Sequence, residues 1–187
     1  MLESAAALLE EKGYAQLTTN AIALRAGTSI GSLYQFFPNK EAVVAELVAQ
    51  YRRELHAFLK ASLSVALVRE SIPAVVEVVV DGIEDIRSRS PGFASVLWLR
   101  DGEGSPVLTA IALERDILDP LEKLLAKAYP DVPSDRRRRC MTVVGETTKA
   151  LLSKAGREDR QAQSEMQQEL KRMLGLYLSS HFQPPAS

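Results

Sequence analysis

TTNAIALRAGTSIGSLYQFFPNKE, from Thr18 to Glu41, holds two short helical patterns joined by a tight turn, and the fold of the chain follows from it. Thr18 or Thr19 offers a hydroxyl to the unpaired amides of a first helical turn. Ile22, Ala23 and Ala26 give that helix a small apolar face. Gly27 supplies the backbone position that ends it, and Ser29 offers a fresh cap shortly after, so the chain turns and restarts at once. Helices joined by so short a turn cross steeply. The second runs from about Ile30 to Phe36, with Leu33 and Phe37 at helical spacing for a core and Ser29, Gly31, Ser32, Tyr34 and Gln35 facing outward. Pro38 disfavours helix immediately before it, and Asn39 caps a further helix with Glu41 near the positive end of its dipole.

Ahead of this stretch, Ala6 to Tyr14 spells A-x-x-L-x-x-x-G-Y; Thr18 to Glu41 then spells T-T-x-x-I-A-x-x-A-G-x-S-x-G-x-L-Y-x-x-F-x-x-K-E. Over roughly its first quarter the chain resembles the TetR/AcrR-type transcriptional regulators, and the many fixed spacings make the resemblance specific. The resemblance implies that the helix from Ile30 to Phe36 lies in the DNA major groove while Thr19, Tyr34 and Lys40 hold phosphates. It implies further that Gln35 and Ser29 reach base edges, that Gly31 lets the backbone approach closely, and that Ser32 shares their face. Singly, Tyr34, Lys40 and Gln35 read as ordinary surface or half-buried residues; the joint spacing reverses that preference. The chain departs from the family pattern at Thr28, where valine is usual, and at Ile30, where many members carry a charged or polar residue.

The 187 residues, 46% hydrophobic and 25% charged, suit a globular protein with one or two small domains. A formal net charge of −1 provides no global basic footprint. The first 53 residues also balance, with Lys12, Arg25, Lys40, Arg52 and Arg53 against Glu3, Glu10, Glu11, Glu41 and Glu46. DNA affinity must therefore lean on local geometry and on doubling by a dimer, because phosphate neutralisation scales with the cations presented. Cys140 is the single cysteine, which excludes an internal disulfide and a cysteine-rich zinc site. No apolar run reaches the length of a membrane span, and MLESAAALLEEKG lacks a basic leader, so the expectation is a cytoplasmic protein with no membrane partner. The chain begins inside a helix marked by Leu2, Ala5, Ala6 and Leu9 and ended by Gly13. The resembling family usually carries a basic arm before this helix, so either the start is truncated or those phosphate contacts are missing.

From Asn39 a long helix runs to about Ser62, striped by Val44, Leu47, Val48, Tyr51, Leu55, Phe58 and Leu59. Its first turns serve the head and its later ones a second core, which places a boundary near residue 47: a helix-turn-helix head over 1–46 and a helical ligand-binding and dimerisation domain over 47–187. Ser71 to Arg89 reads as helix despite the β propensity of VVEVVV, because the periodicity continues through Ile86. A short helix starts at Ser90 and Pro91. Another spans Pro106 to Tyr129, where Pro120 kinks or restarts it and Asp119 is placed to cap the restart. The last two cover about Ser134 to Ala155 and Arg157 to His181, parted by Gly156. The expected fold is all-α throughout.

On the terminal pair, Val144, Thr148, Leu151 and Leu152, with Leu170, Leu174, Tyr177 and Leu178, form apolar faces suited either to pairing with a second copy in a four-helix interface or to the subunit's own core. The resemblance tips this towards a homodimer. Phe93, Leu97, Trp98, Tyr129 and Met141 are candidate walls of an effector cavity, with Glu146 or Thr147 as its polar contact and plain core packing as the alternative for each. Glu146 stands out because burying an unpartnered carboxylate is costly; the alternative is a place at the rim of the dimer interface.

Convergent catalytic chemistry is absent from the pattern: His56 and His181 fall on separate helices, Cys140 has no evident base, and there is no phosphate-cradling glycine loop or cofactor motif. The resemblance implies a DNA-binding transcriptional regulator, a repressor released from a palindromic operator on double-stranded DNA by a small-molecule effector, with no cofactor and no catalysis. The alternative is a helical effector-binding or protein-interaction module that does not read DNA.

Overall fold

A computed structural model describes residues 1–97, 106–155 and 160–183. Every regular element among them is helical: α1 (Leu2–Lys12), α2 (Thr19–Arg25), α3 (Ile30–Phe36), α4 (Lys40–Ser62), α5 (Val65–Glu70), α6 (Ile72–Arg89), α7 (Phe93–Leu97), α8 (Pro106–Ala128), α9 (Ser134–Ala155) and α10 (Arg160–His181). The valine run lies inside α6, and Val75, Val76, Val79, Val80, Ile83 and Ile86 are all buried, so helical periodicity outweighs β propensity here. Two elements differ from the sequence reading. The short α5 was not expected; it has too few turns to register as a period, and Ser64 caps it by accepting from the Leu67 amide at 3.2 Å. Pro120 does not restart α8, which is continuous from Pro106 to Ala128, so of the two expectations, a kink or a restart, only the kink is compatible with the helix.

By compactness the chain forms two units, each assembled from separate segments: Met1–His56 with Glu84–Arg115, and Ala57–Ile83 with Asp116–Ser187. In the first, Leu9, Leu17, Ile22, Leu33 and Val43 from α1 to α4 are essentially removed from solvent. The turn between α6 and α7 grips this bundle through consecutive residues. Ser90 Oγ donates to Glu54 Oε2 at 3.1 Å, the Tyr51 hydroxyl donates to the Pro91 carbonyl, and the Gly92 amide donates to Glu10 Oε2 at 2.6 Å. The Tyr51 ring meets Phe93 edge to face, with centroids 5.3 Å apart. Burial, then the charges of Glu10 and Glu54, push the Tyr51 phenol up to about 12, which keeps it a donor.

The second unit is organised around Tyr129, which is 7% exposed, donates to the Val68 carbonyl at 3.1 Å and packs its ring against Phe182. Arg69 donates to the Ala128 and Lys127 carbonyls, placing a cation on the otherwise unpaired C-terminal end of α8. The Phe58 ring of α4 lies directly over Gly82 of α6, where a Cβ would overlap it. Lys171 and Gln167 of α10 both donate to Asp81 of α6.

Gly92 has φ +77°, and a Cβ there would stand 2.9 Å from the Ala6 carbonyl oxygen. Gly92→Ala therefore pairs a left-handed backbone penalty of about 1–2 kcal/mol with a contact against rigid backbone. Thermal unfolding should show a lowered Tm for this variant. A melting curve matching that of the parent would mean the turn relaxes freely and does not grip α1.

Candidate nucleic-acid interface and effector region

The α2–α3 turn is built by local bonds. Thr18, in extended conformation, accepts from the Ala21 amide at 3.1 Å and starts α2. At the other end Gly27 takes φ +63°, the Thr28 amide reaches back to the Ala23 carbonyl at 3.0 Å, and the Gly27 amide reaches the Leu24 carbonyl at 3.2 Å. This paired closure is the Schellman arrangement, and it places Thr28 within a backbone-fixed turn despite the absent valine. Ser29 then caps α3, its Oγ lying 3.0 Å from the Ser32 amide and 2.9 Å from Ser32 Oγ. Asn39 caps α4 through the Ala42 amide at 2.8 Å.

Leu33 is fully buried, and it alone of α3 anchors the helix to the core. The rest of the helix is open: Gly31 and Gln35 are exposed, Tyr34 is 51% exposed and Phe36 is 67% exposed. Ser32 and Ile30 are half-buried. A Cβ on Gly31 would meet only Ser29 Oγ, at 3.8 Å, so no packing within the chain demands glycine there. Thr19 Oγ1 and the Tyr34 hydroxyl lie 3.2 Å apart, bringing together two of the residues expected to hold phosphate.

Lys40, the third, sits elsewhere: its Nζ donates to the Tyr14 carbonyl at 3.3 Å and lies 4.3 Å from the Tyr14 ring centroid. The Tyr14 hydroxyl donates to Glu41 Oε1 at 2.9 Å. Ser29 doubles as the α3 cap, so its hydroxyl is engaged before any base arrives.

Sequence reasoning missed the exposure of Phe36. The sequence pattern assigns Phe37 to the core and leaves Phe36 unassigned; Phe37 takes the extended C-cap and is half-buried, while Phe36 stays open. Leu24 of α2 is likewise open, at 83%. The head's arginines are partly committed: Arg25 bonds Glu11 at 2.5 Å and Arg53 bonds Glu46 at 3.2 Å. The hydrogen bond to Arg25 is the main reason the Glu11 carboxyl is held below its ordinary range.

The expected effector residues are spread over both compact units. Phe93 is fully buried in the first compact unit; Tyr129 and Met141 are buried in the second. Tyr129 is engaged by the Val68 carbonyl and the Phe182 ring. Glu146 is exposed on α9, one residue past the buried Val144 and Gly145; of its two expected placements this excludes the buried carboxylate and is compatible with the rim of a dimer interface. Thr147 is half-buried. Trp98 lies outside the described residues, as does the side chain of Leu97.

The dimer expectation also changes in detail. Val144, Leu170, Leu174 and Leu178 are buried within the single chain, because α9 and α10 pack on each other and on their own unit, so these side chains are not surface for a second copy. Thr148, Leu151 and Tyr177 are half-buried, and the Leu152 side chain lies outside the described residues. Among the described side chains, the large apolar residues that α9 and α10 expose are Val143 at 43%, Met173 at 40% and Leu176 at 69%. Leu176 borders a surface groove of about 440 Å³ between α6 and α10, whose walls include Pro73, Glu77, Lys171, Arg172 and Ser179. Among the described residues no cluster of His, Cys, Asp and Glu suits a metal ion, and no helix is long and apolar enough to cross a membrane.

Residues 1–47 match the family model described as bacterial regulatory proteins of the tetR family, and residues 71–178 match that of the tetracyclin repressor-like C-terminal domain. Among solved structures, a TetR-family transcriptional regulator from Streptomyces coelicolor is 26% identical, with 96% of each chain covered and a TM-score of 0.65. The fatty acid degradation regulator FadR from Bacillus halodurans shares the fold at 18% identity, covering 93% of this chain and 92% of its own, with a TM-score of 0.62. The TetR-family regulator PfmR from Thermus thermophilus does so at 21% identity, covering 100% and 95%, with a TM-score of 0.60. No curated protein sequence matches the chain significantly.

The Tyr14 phenol is pushed up to about 12, by burial first and then by its bond to Glu41 and the charge there. Its unfolded counterpart releases a proton near the ordinary 10.0, so the stability tied to this group is intact below that pH and declines as pH climbs towards about 12. Alkaline unfolding followed by circular dichroism should be shallower in Tyr14→Phe, which has no proton to release. Equal alkaline losses in the two proteins would rule out this linkage.

Proposed function

The chain belongs to the TetR family of bacterial regulatory proteins, and on that premise we propose that it is a homodimeric repressor, acting in the cytoplasm, that a small molecule releases from a palindromic operator. The observation that carries this reading is the exposed face of α3, where Gly31, Tyr34, Gln35 and Phe36 stand clear of the core that Leu33 enters. A rigid helix with one anchored side and one open side is what major-groove reading requires. Residues 1–46 form the reading head and 47–187 the effector and dimer region. Gln35 reads base edges, with Ser29 and Ser32 on the same face; Gly31 admits the backbone; Thr19 and Tyr34 hold one phosphate as a pair and Lys40 another. Phe36 supplies apolar contact of the kind a thymine methyl accepts.

Dimerisation is assigned to the outer faces of α9 and α10, with Val143, Met173 and Leu176 at its centre and the half-buried Thr148, Leu151 and Tyr177 beside them. Support comes from their exposure next to a core already closed within the subunit. Each head then takes one half-site, spaced by about one helical turn or a multiple of it. The effector needs only to prefer one arrangement of the dimer; each 1.4 kcal/mol or so of preference shifts the balance about tenfold. Thr147, half-buried on α9, is the polar side chain retained for effector contact. A second reading, a helical interaction module that does not read DNA, draws on the Arg25–Glu11 and Arg53–Glu46 pairs, which reduce the free cations of the first compact unit.

Burying a leucine contributes about 1.5–3 kcal/mol, and a two-fold interface counts each substitution twice. Leu176→Arg should therefore sediment as a monomer at concentrations where the parent is a dimer, with its helical content unchanged. An unaltered dimer would remove α10 from the interface. For the reading helix, Gln35→Ala titrated against single-base-pair variants of the operator should flatten the preference at one position per half-site, by about 1–3 kcal/mol. Unchanged preference at every position would take Gln35 out of the readout.

A further inference from the structure

Resting on the proposed phosphate contact of Lys40, we infer that Tyr14 is a positioning residue for DNA binding: it holds the Lys40 ammonium at the mouth of α4 without neutralising it. The cations of the head are treated differently by their surroundings. Arg25 and Arg53 each face a carboxylate, at 2.5 Å and 3.2 Å. Lys40 makes no ion pair among the described residues; its partners are a carbonyl oxygen and the face of an aromatic ring, both from Tyr14. A carboxylate partner cancels most of a cation's attraction for phosphate at distance, whereas a peptide dipole and a ring quadrupole orient the ammonium and leave its net charge intact. The remaining N–H donors of Lys40 are available to a phosphate oxygen.

The one nearby carboxylate on the same helix turn, Glu41, is drawn off by the same tyrosine. The Tyr14 hydroxyl donates to Glu41 Oε1 at 2.9 Å, so a single side chain orients the lysine with its ring and engages the competing acid with its hydroxyl. Tyr14 is itself 7% exposed and follows Gly13, whose φ of +73° ends α1. Its position is thus fixed by the core and by the helix end. A free lysine side chain forfeits rotamer entropy when a phosphate immobilises it; one already seated on Tyr14 forfeits less.

The test titrates the duplex recovered by selection from a random pool across a salt series, using the full chain as wild type, Lys40→Ala, Tyr14→Leu and the double variant. Lys40→Ala should lower the log–log salt slope by about 0.9 per head. Tyr14→Leu should lower it by a similar amount with the lysine still present, and the double variant should show no further drop. Tyr14→Phe, which keeps the ring under the ammonium but frees Glu41 from the hydroxyl, should give a slope between those of Tyr14→Leu and the wild type. If Tyr14→Leu binds more weakly at every salt but with the parental slope, Tyr14 acts only through fold stability and the inference fails while the Lys40 contact stands. If Lys40→Ala itself keeps the parental slope, the phosphate role of Lys40 fails first. Should Tyr14→Leu not fold, the wild-type protein decides: the ε-methylene protons of Lys40 should carry an upfield ring-current shift that persists when the duplex binds, and its loss on binding would overturn the inference.

Discussion

Gly27 in its left-handed conformation carries the turn on which the reading surface depends. With φ at +63°, the amides of Gly27 and Thr28 fold back onto the last carbonyls of α2, and α3 starts only two residues later under the Ser29 cap. A β-carbon at this φ costs about 1–2 kcal/mol, and any lengthening of the turn rotates α3 about Leu33. That side chain is the helix's one fully buried anchor, so the direction of Tyr34, Gln35 and Phe36 is set by the turn and the anchor together. Precision in the open face thus comes from groups that never leave the protein.

Charge supplies little of the remaining logic. The chain is nearly neutral, and the pairs made by Arg25 and Arg53 lower the cationic character of the head further. Affinity drawn from counterion release grows with the number of phosphates neutralised, so a head of this composition gains more from placing a few groups accurately than from bulk attraction. The Thr19–Tyr34 pair and the seating of Lys40 on Tyr14 are arrangements of that kind: each joins residues from different parts of the head and fixes a donor before a ligand arrives. The grip of the Ser90–Gly92 turn on Glu10, Tyr51 and Glu54 extends this rigidity to residues far along the chain, which belong to the same compact unit as the head.

What the sequence made legible was local. Caps at Thr18, Ser29 and Asn39 and the helix end at Gly27 involve partners three to five residues away, so residue type and spacing reveal them. The helical reading of VVEVVV was available for the same reason. The faces of α9 and α10 were not, because periodicity identifies an apolar stripe but not what covers it; Val144, Leu170, Leu174 and Leu178 turn out to be covered within the chain. A shift of one residue turns a helical side chain by about 100°, which is how Glu146 reaches solvent beside the buried Val144 and Gly145. The partnership of Tyr14 with Lys40 joins residues 26 apart in sequence, and no local signal marks it.

Selection of duplexes from a random pool with the full chain shows whether α3 presents a sequence-reading face held twice by a dimer. The selected duplex and a scrambled control are then titrated at two salt concentrations. A two-fold symmetric site should be enriched and bound at least about a thousandfold more tightly than the control. Failure to enrich any sequence, or equal binding of the two duplexes at both salts, would contradict sequence reading by α3 and favour a helical module that recognises a protein or a small molecule alone.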